Sequence, residues 1–138
     1  MAQTIEKQVV EEGYRNAVVK VTGVMDTSDI NLVSYIKPLD FTNNDPTARI
    51  TGLRVDAVMY SLGQVIDVVL YWNSDSPQQI LPLARSGKID AWGEGGFIPD
   101  TTRSGYDGSI NIKSSGYPPG TVQNITLLIH LVKLYAVR

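Results

Sequence analysis

Two aspartates, Asp56 and Asp67, are the best carboxylate pair in this 138-residue chain. Each lies in a run of alternating apolar and polar residues, one on either side of Leu62-Gly63. Two carboxylates about 5–10 Å apart would suit glycoside hydrolysis. Arg54, Tyr60 and Tyr71 share the same face, and a solvated or salt-bridged surface is the plainer reading. His130 is the single histidine. As a general base it would need a Ser or Asp beside it and a third group to orient it. Set mid-strand between Ile129 and Leu131, it reads as a partly buried structural residue. Asp26/Asp29, Asn43/Asn44/Asp45 and Asn73/Asp75 offer oxygens for Ca²⁺, but none has the spacing and closing Glu of an EF-hand loop. Asx residues in turns usually bond their own backbone. Gly93-Glu94-Gly95-Gly96 has no helix behind it and reads as a turn or bulge, not a phosphate cradle. Trp72, Trp92, Phe97, Tyr106 and Tyr117 contain enough ring surface for a sugar-stacking platform. Trp72 is placed in the core; the other four serve equally as core caps or interface anchors. No catalytic residue, cofactor or metal site emerges from these residue types and spacings.

The elements that must hold these residues are strands. Leu53, Val55, Ala57 and Met59 alternate with polar neighbours, as do Ile66, Val68, Leu70 and Trp72. A two-residue turn at Leu62-Gly63 would pair Met59 with Ile66, Ala57 with Val68, Val55 with Leu70 and Leu53 with Trp72, a hairpin with one buried face. It would also put Asp56 and Asp67 diagonally on the other face. Further strands are read at Tyr14 to Met25, Ile30 to Leu39, Gln78 to Leu83, Lys88 to Trp92, Gly108 to Ser114 and Val122 to Val137. Pro82 suggests an edge position for its strand. The last strand is apolar on both sides, so it is central in a two-layer sandwich or covered by another subunit. Residues 1–13 are polar apart from a few apolar side chains and read as a flexible arm or short edge strand before a domain at 14–138.

About eight strands with turns every 8–12 residues predict an all-β, single-domain antiparallel β-sandwich. The long excursions at 40–48 and 93–108 favour a jelly-roll-like topology. A chain of 138 residues can bury about two-thirds of its unfolded surface without staples. It contains no Cys, which excludes disulfides and thiolate chemistry. A net charge of −2 with scattered Lys and Arg leaves no footprint for nucleic acid. The N-terminus reads as polar, without a signal peptide, and the longest apolar run, Leu127 to Val132, is too short to cross a bilayer. The Asn124-Ile125-Thr126 sequon falls in a strand and is not expected to be glycosylated.

Several segments together resemble small virion proteins of tailed bacteriophages. They are Gly13-Tyr14-Arg15-Asn16-Ala17-Val18-Val19-Lys20-Val21, Leu53-Arg54-Val55-Asp56 with Tyr60, and Val69-Leu70-Tyr71-Trp72-Asn73 leading to Leu81-Pro82-Leu83. Gly95-Gly96-Phe97 and Gly105-Tyr106-Asp107-Gly108-Ser109-Ile110 continue the order. The correspondence runs from about residue 13 to 133 and is carried by structural rather than catalytic residues. One departure is the apolar, tyrosine-containing end Leu131 to Arg138, where the family closes on a more charged terminus. The resemblance implies a non-enzymatic capsid decoration or cement protein that binds the major capsid protein on the outside of a phage head. It implies a homo-oligomer, with a trimer favoured, made in the host cytoplasm and resident in the virion, with no nucleic-acid or membrane partner. Ile5, Val9, Val10, Trp92, Phe97, Tyr106 and Tyr117 are the expected partner contacts. The alternatives are a neck or tail protein of the virion and a carbohydrate-binding β-sandwich module.

Overall fold

The computed structural model describes residues 4–13, 15–25, 33–41, 47–63, 66–91, 96–100, 102–118 and 122–137. The described residues contain nine strands: β1 (Thr4–Glu12), β2 (Asn16–Met25), β3 (Val33–Ile36), β4 (Ala48–Leu62), β5 (Asp67–Trp72), β6 (Gln78–Ala84), β7 (Ser86–Asp90), β8 (Ile110–Ser115) and β9 (Gln123–Val137). A 3₁₀ turn at Pro38–Asp40 follows β3. All strand pairs are antiparallel, in a five-stranded sheet ordered β1-β2-β9-β4-β7 and a four-stranded sheet ordered β3-β8-β5-β6. Leave β1 aside, and the orders 2-9-4-7 and 3-8-5-6 are the two facing sheets of a jelly roll.

Strict alternation builds the layers. In β2, Ala17, Val19, Val21, Gly23 and Met25 lie on the inward face and are buried, while the alternate residues are half-buried or exposed. Ile125, Leu127, Ile129 and Leu131 of β9 do the same. The opposing layer contributes Val68, Leu70 and Trp72 of β5, Leu81 and Leu83 of β6, and Ile110 and Ile112 of β8. These side chains form one contiguous core between the sheets. The long last strand is central, flanked by β2 and β4, which accounts for its two apolar sides. β6 is an edge strand, with Pro82 exposed on it.

Two expectations change. First, β4 and β5 do not form a hairpin: β4 pairs with β9 and β7, and β5 lies in the other sheet beside β6 and β8. The apolar faces of β4 and β5 meet across the sandwich instead of along a ladder, so Asp56 and Asp67 lie in different sheets. A bulge between Val55 and Ala57 also inserts Asp56 as an extra residue. Beyond it the inward phase switches, so Val58 is buried at 0 % and Met59 is 49 % exposed, opposite to a simple alternation through Ala57 and Met59. Second, of the two readings of residues 1–13 the structure has the edge strand: residues 4–12 pair with β2 as β1. The clusters Asp26/Asp29 and Asn43/Asn44/Asp45, together with residues 92–95, lie outside the described residues.

Candidate binding surface

Each chemistry-bearing side chain can be followed from its strand. Arg54 donates from Nε to Asp56 Oδ1 at 2.7 Å and from a terminal nitrogen to Oδ2 at 3.2 Å. Two residues apart on β4, the two side chains share a face, and both guanidinium nitrogens reach the one carboxylate. The carboxylate hydrogen bond raises the Arg54 guanidinium above its ordinary value, against a smaller effect of burial. Gly96, at φ 81°, sits directly over the pair, where a Cβ would collide with both partners. The next residue, Phe97, bridges to Val55 through reciprocal backbone bonds of 2.7 and 3.1 Å. The segment after β7 is thus tied to β4 by backbone and seated on an ion pair.

His130 faces outward at the centre of the five-stranded sheet, paired with Val18 of β2 and Ala57 of β4. It lines a shallow cleft of about 410 Å³ with Glu11, Asn16, Val18 and Asp56. The expected structural histidine is therefore half-buried on an outer face, beside two carboxylates that come from strands on either side of it. Sequence reading missed Glu11 in this group because β1 was not placed in the sheet. The hairpin register likewise aimed Asp56 at Asp67. Among the described residues no group of three His, Asp or Glu side chains has metal-binding geometry.

The expected partner contacts separate. Ile5 is partly buried and packs against the core, whereas Val9 and Val10 are 36 % and 52 % exposed on β1. Phe97 and Tyr106 are half-buried against the core. Tyr117 is buried within the core cluster. Gly116, at φ 82°, redirects the chain just before it, and the ring turns inward with the core. Trp92 lies outside the described residues. The Tyr106 hydroxyl is buried over the backbone of Gly52 and has no hydrogen-bond partner among the described residues. Burial, with the charge of Asp107 adding to it, raises its pKa above that of an exposed tyrosine. The loop carrying it is stitched to the turn between β5 and β6. Gln78 exchanges two hydrogen bonds with the Asp100 backbone, Arg103 donates to the Ser76 carbonyl, and Ser104 Oγ donates to Asp75. Asp100 is held below the usual carboxylate range by hydrogen bonds from the Thr102 hydroxyl and N–H. Of the three Asx clusters, the described one, Asn73/Asp75, is spent on protein partners: Asn73 accepts from Asn111, and Asp75 from Ser104.

The remaining surface features are apolar side chains and strand edges. Val24 and Met59 are exposed on the outer face of the five-stranded sheet, with Leu128 half-buried beside Met59. Of the four sheet edges, β3 has four residues, β7 has five, and β6 carries Pro82. β1 has nine residues and no proline.

No protein-family model matches this chain, and no curated protein matches it. Among solved structures it is similar to a cupin superfamily protein from Desulfitobacterium hafniense, at 8 % identity and a TM-score of 0.37, over 95 % of this chain and 78 % of the other. It is also similar to a CBM4 structure, at 9 % identity and a TM-score of 0.33, over 96 % of this chain and 95 % of the other.

Proposed function

We propose that this chain is a non-enzymatic structural protein of a phage virion, a decoration protein that binds the outside of the head and bridges neighbouring shell subunits. The observation that carries the reading is where the polar chemistry goes. Asp56 is held by Arg54, Asp75 by Ser104 and the Glu12 carboxylate by Lys133, so these three carboxylates brace the body. What stays open is contact surface: Val10, Val24 and Met59, and the edge of β1. The family resemblance of the sequence supports the same reading. Attachment as a trimer would add three weak contacts into one tight one. A carbohydrate-binding role has less to stand on, because Tyr117 is in the core and Phe97 and Tyr106 pack against it.

The test is the copy number of this protein in purified virions relative to the major capsid protein, by quantitative mass spectrometry. A ratio near one, or a simple fraction set by icosahedral symmetry, is the expected result. A handful of copies moves the protein to the neck or tail, and absence from virions overturns the reading.

A further inference from the structure

The edge of β1 stands out because the other three edges are protected. A short strand, a five-residue strand and a proline are ordinary ways of stopping a sheet from recruiting another chain. β1 is longer than β3 or β7 and carries no proline; its own protection is Lys7, opposite Val21 and ion-paired with Asp40, and the bulge between Val9 and Glu11 at its far end. In an antiparallel ladder every second residue turns its N–H and C=O away from the partner strand. Along β1 those groups face outward from the sheet, and no strand among the described residues lies beside them.

Charge selects the occupant. β1 contains Glu6, Lys7, Glu11 and Glu12. Lys7 is paired with Asp40, and Glu12 with Lys133. Glu6 and Glu11 are exposed and have no ion-pair partner among the described residues. Their neighbours on the same face of β2 are Thr22 and Val18, which neutralise neither; Lys20, one position removed and opposite Gln8, is the nearest cation in the ladder. A second copy added edge to edge would bring two more exposed carboxylates into the same ribbon, and like charges on adjacent strands are destabilising. A strand carrying Lys or Arg would neutralise them.

We propose that the β1 edge accepts an extended basic segment of a partner protein as a sixth strand of the five-stranded sheet. Main-chain hydrogen bonds along Ile5 to Val9 hold the segment, and Glu6 and Glu11 select basic side chains on its outward face. This names the attachment chemistry of the surface described above, but it does not require that the partner be a shell protein.

The experiment titrates the full-length, ¹⁵N-labelled chain with a short synthetic peptide alternating lysine and valine, and with its glutamate–valine counterpart. Peptide affinity and amide hydrogen exchange along β1 are read together. The lysine peptide is expected to bind saturably and to slow exchange of the outward amides between residues 5 and 9. The glutamate peptide is expected not to bind. The double variant Glu6→Lys, Glu11→Lys, at two exposed positions, should keep the native spectrum and weaken the lysine peptide by about tenfold or more. Equal binding of both peptides, binding without protection of β1, or no binding overturns the proposal. So does concentration-dependent protection of β1 without peptide, which would make a second copy the occupant. None of these outcomes changes the copy number in virions, so this proposal and the virion reading fail separately.

Discussion

Lys133 Nζ lies 2.7 Å from Glu12 Oε2 and 2.8 Å from the Gly13 carbonyl oxygen, so a fully buried ammonium on the central strand anchors the end of the edge strand. The two partners are unequal: the Lys133 side chain is 0 % exposed and that of Glu12 is 21 %. Glu12→Ala strands a buried cation and should cost about 2–4 kcal/mol, whereas Lys133→Met keeps the apolar stem and leaves a carboxylate that water can reach, for a change within about 1 kcal/mol. Urea denaturation of both variants checks the asymmetry. Equal losses would mean that packing of the lysine stem, not the charge, matters at this position.

Trp72 spans the sandwich by donating its indole N–H to the Leu53 carbonyl at 3.2 Å. Trp72→Phe removes the donor and leaves a buried acceptor short of a partner, which should cost about 1–3 kcal/mol beyond the loss of ring volume. Thermal unfolding measures the loss. A near-neutral result would show that the carbonyl finds another partner.

The Tyr106 hydroxyl is the converse case, a buried group already without a partner among the described residues. Tyr106→Phe should leave stability unchanged or raise it by up to about 1 kcal/mol. The native pKa of this phenol is raised, so the native state keeps its proton after the unfolded chain has released it. The stabilisation linked to that proton is complete below about pH 10, the ordinary tyrosine value, and is lost as pH rises through the native pKa. Absorbance at alkaline pH should show the late-titrating signal reduced in the Phe variant by one phenol. In the Phe variant stability should also fall less steeply above about pH 10.

Arg85 joins β6 to β7 with φ 62°, the one non-glycine residue with positive φ among the described residues. Its carbonyl accepts from Leu62 N–H at 2.6 Å, so the chain changes sheets here in a single fixed step. The left-handed conformation costs a side-chain-bearing residue about 1–2 kcal/mol. Glycine removes that strain and adds about 0.4–1 kcal/mol of unfolded-state entropy. Arg85→Gly should therefore stabilise by roughly 0.5 kcal/mol. Destabilisation in a denaturant series would mean that the arginine side chain makes a contact worth more than the strain.

The layers were legible in the sequence because alternation reports which residues turn inward. Val19 and Val21, Val68 and Leu70, and Leu127 and Ile129 on the last strand are all buried as their spacing predicts. Alternation does not report which strand lies beside which. Leu53 and Trp72 do meet, as the hairpin reading required, but through a side-chain bond across the layers and not through a shared ladder. Two apolar faces are equally complementary whether they lie side by side or face to face. The bulge at Asp56 was hidden for a related reason: one inserted residue leaves apolar residues on either side, and Val58 fits the core as well as Ala57 would. The cleft around His130 was out of reach because it depends on the placement of β1 beside β2 and of β4 beside β9.

β9 lies between β2 and β4, strands that precede it by about a hundred and about seventy residues. Neither β2 nor β4 can complete its ladder until residues 123–137 have been made. During synthesis both would leave the ribosome with an unpaired, apolar-faced side, open to whatever strand is nearest. Folding of this chain is therefore a late, all-at-once event that waits on closing long loops, slow by the standards of local structure. A newly made chain is most vulnerable to aggregation just before its last strand arrives.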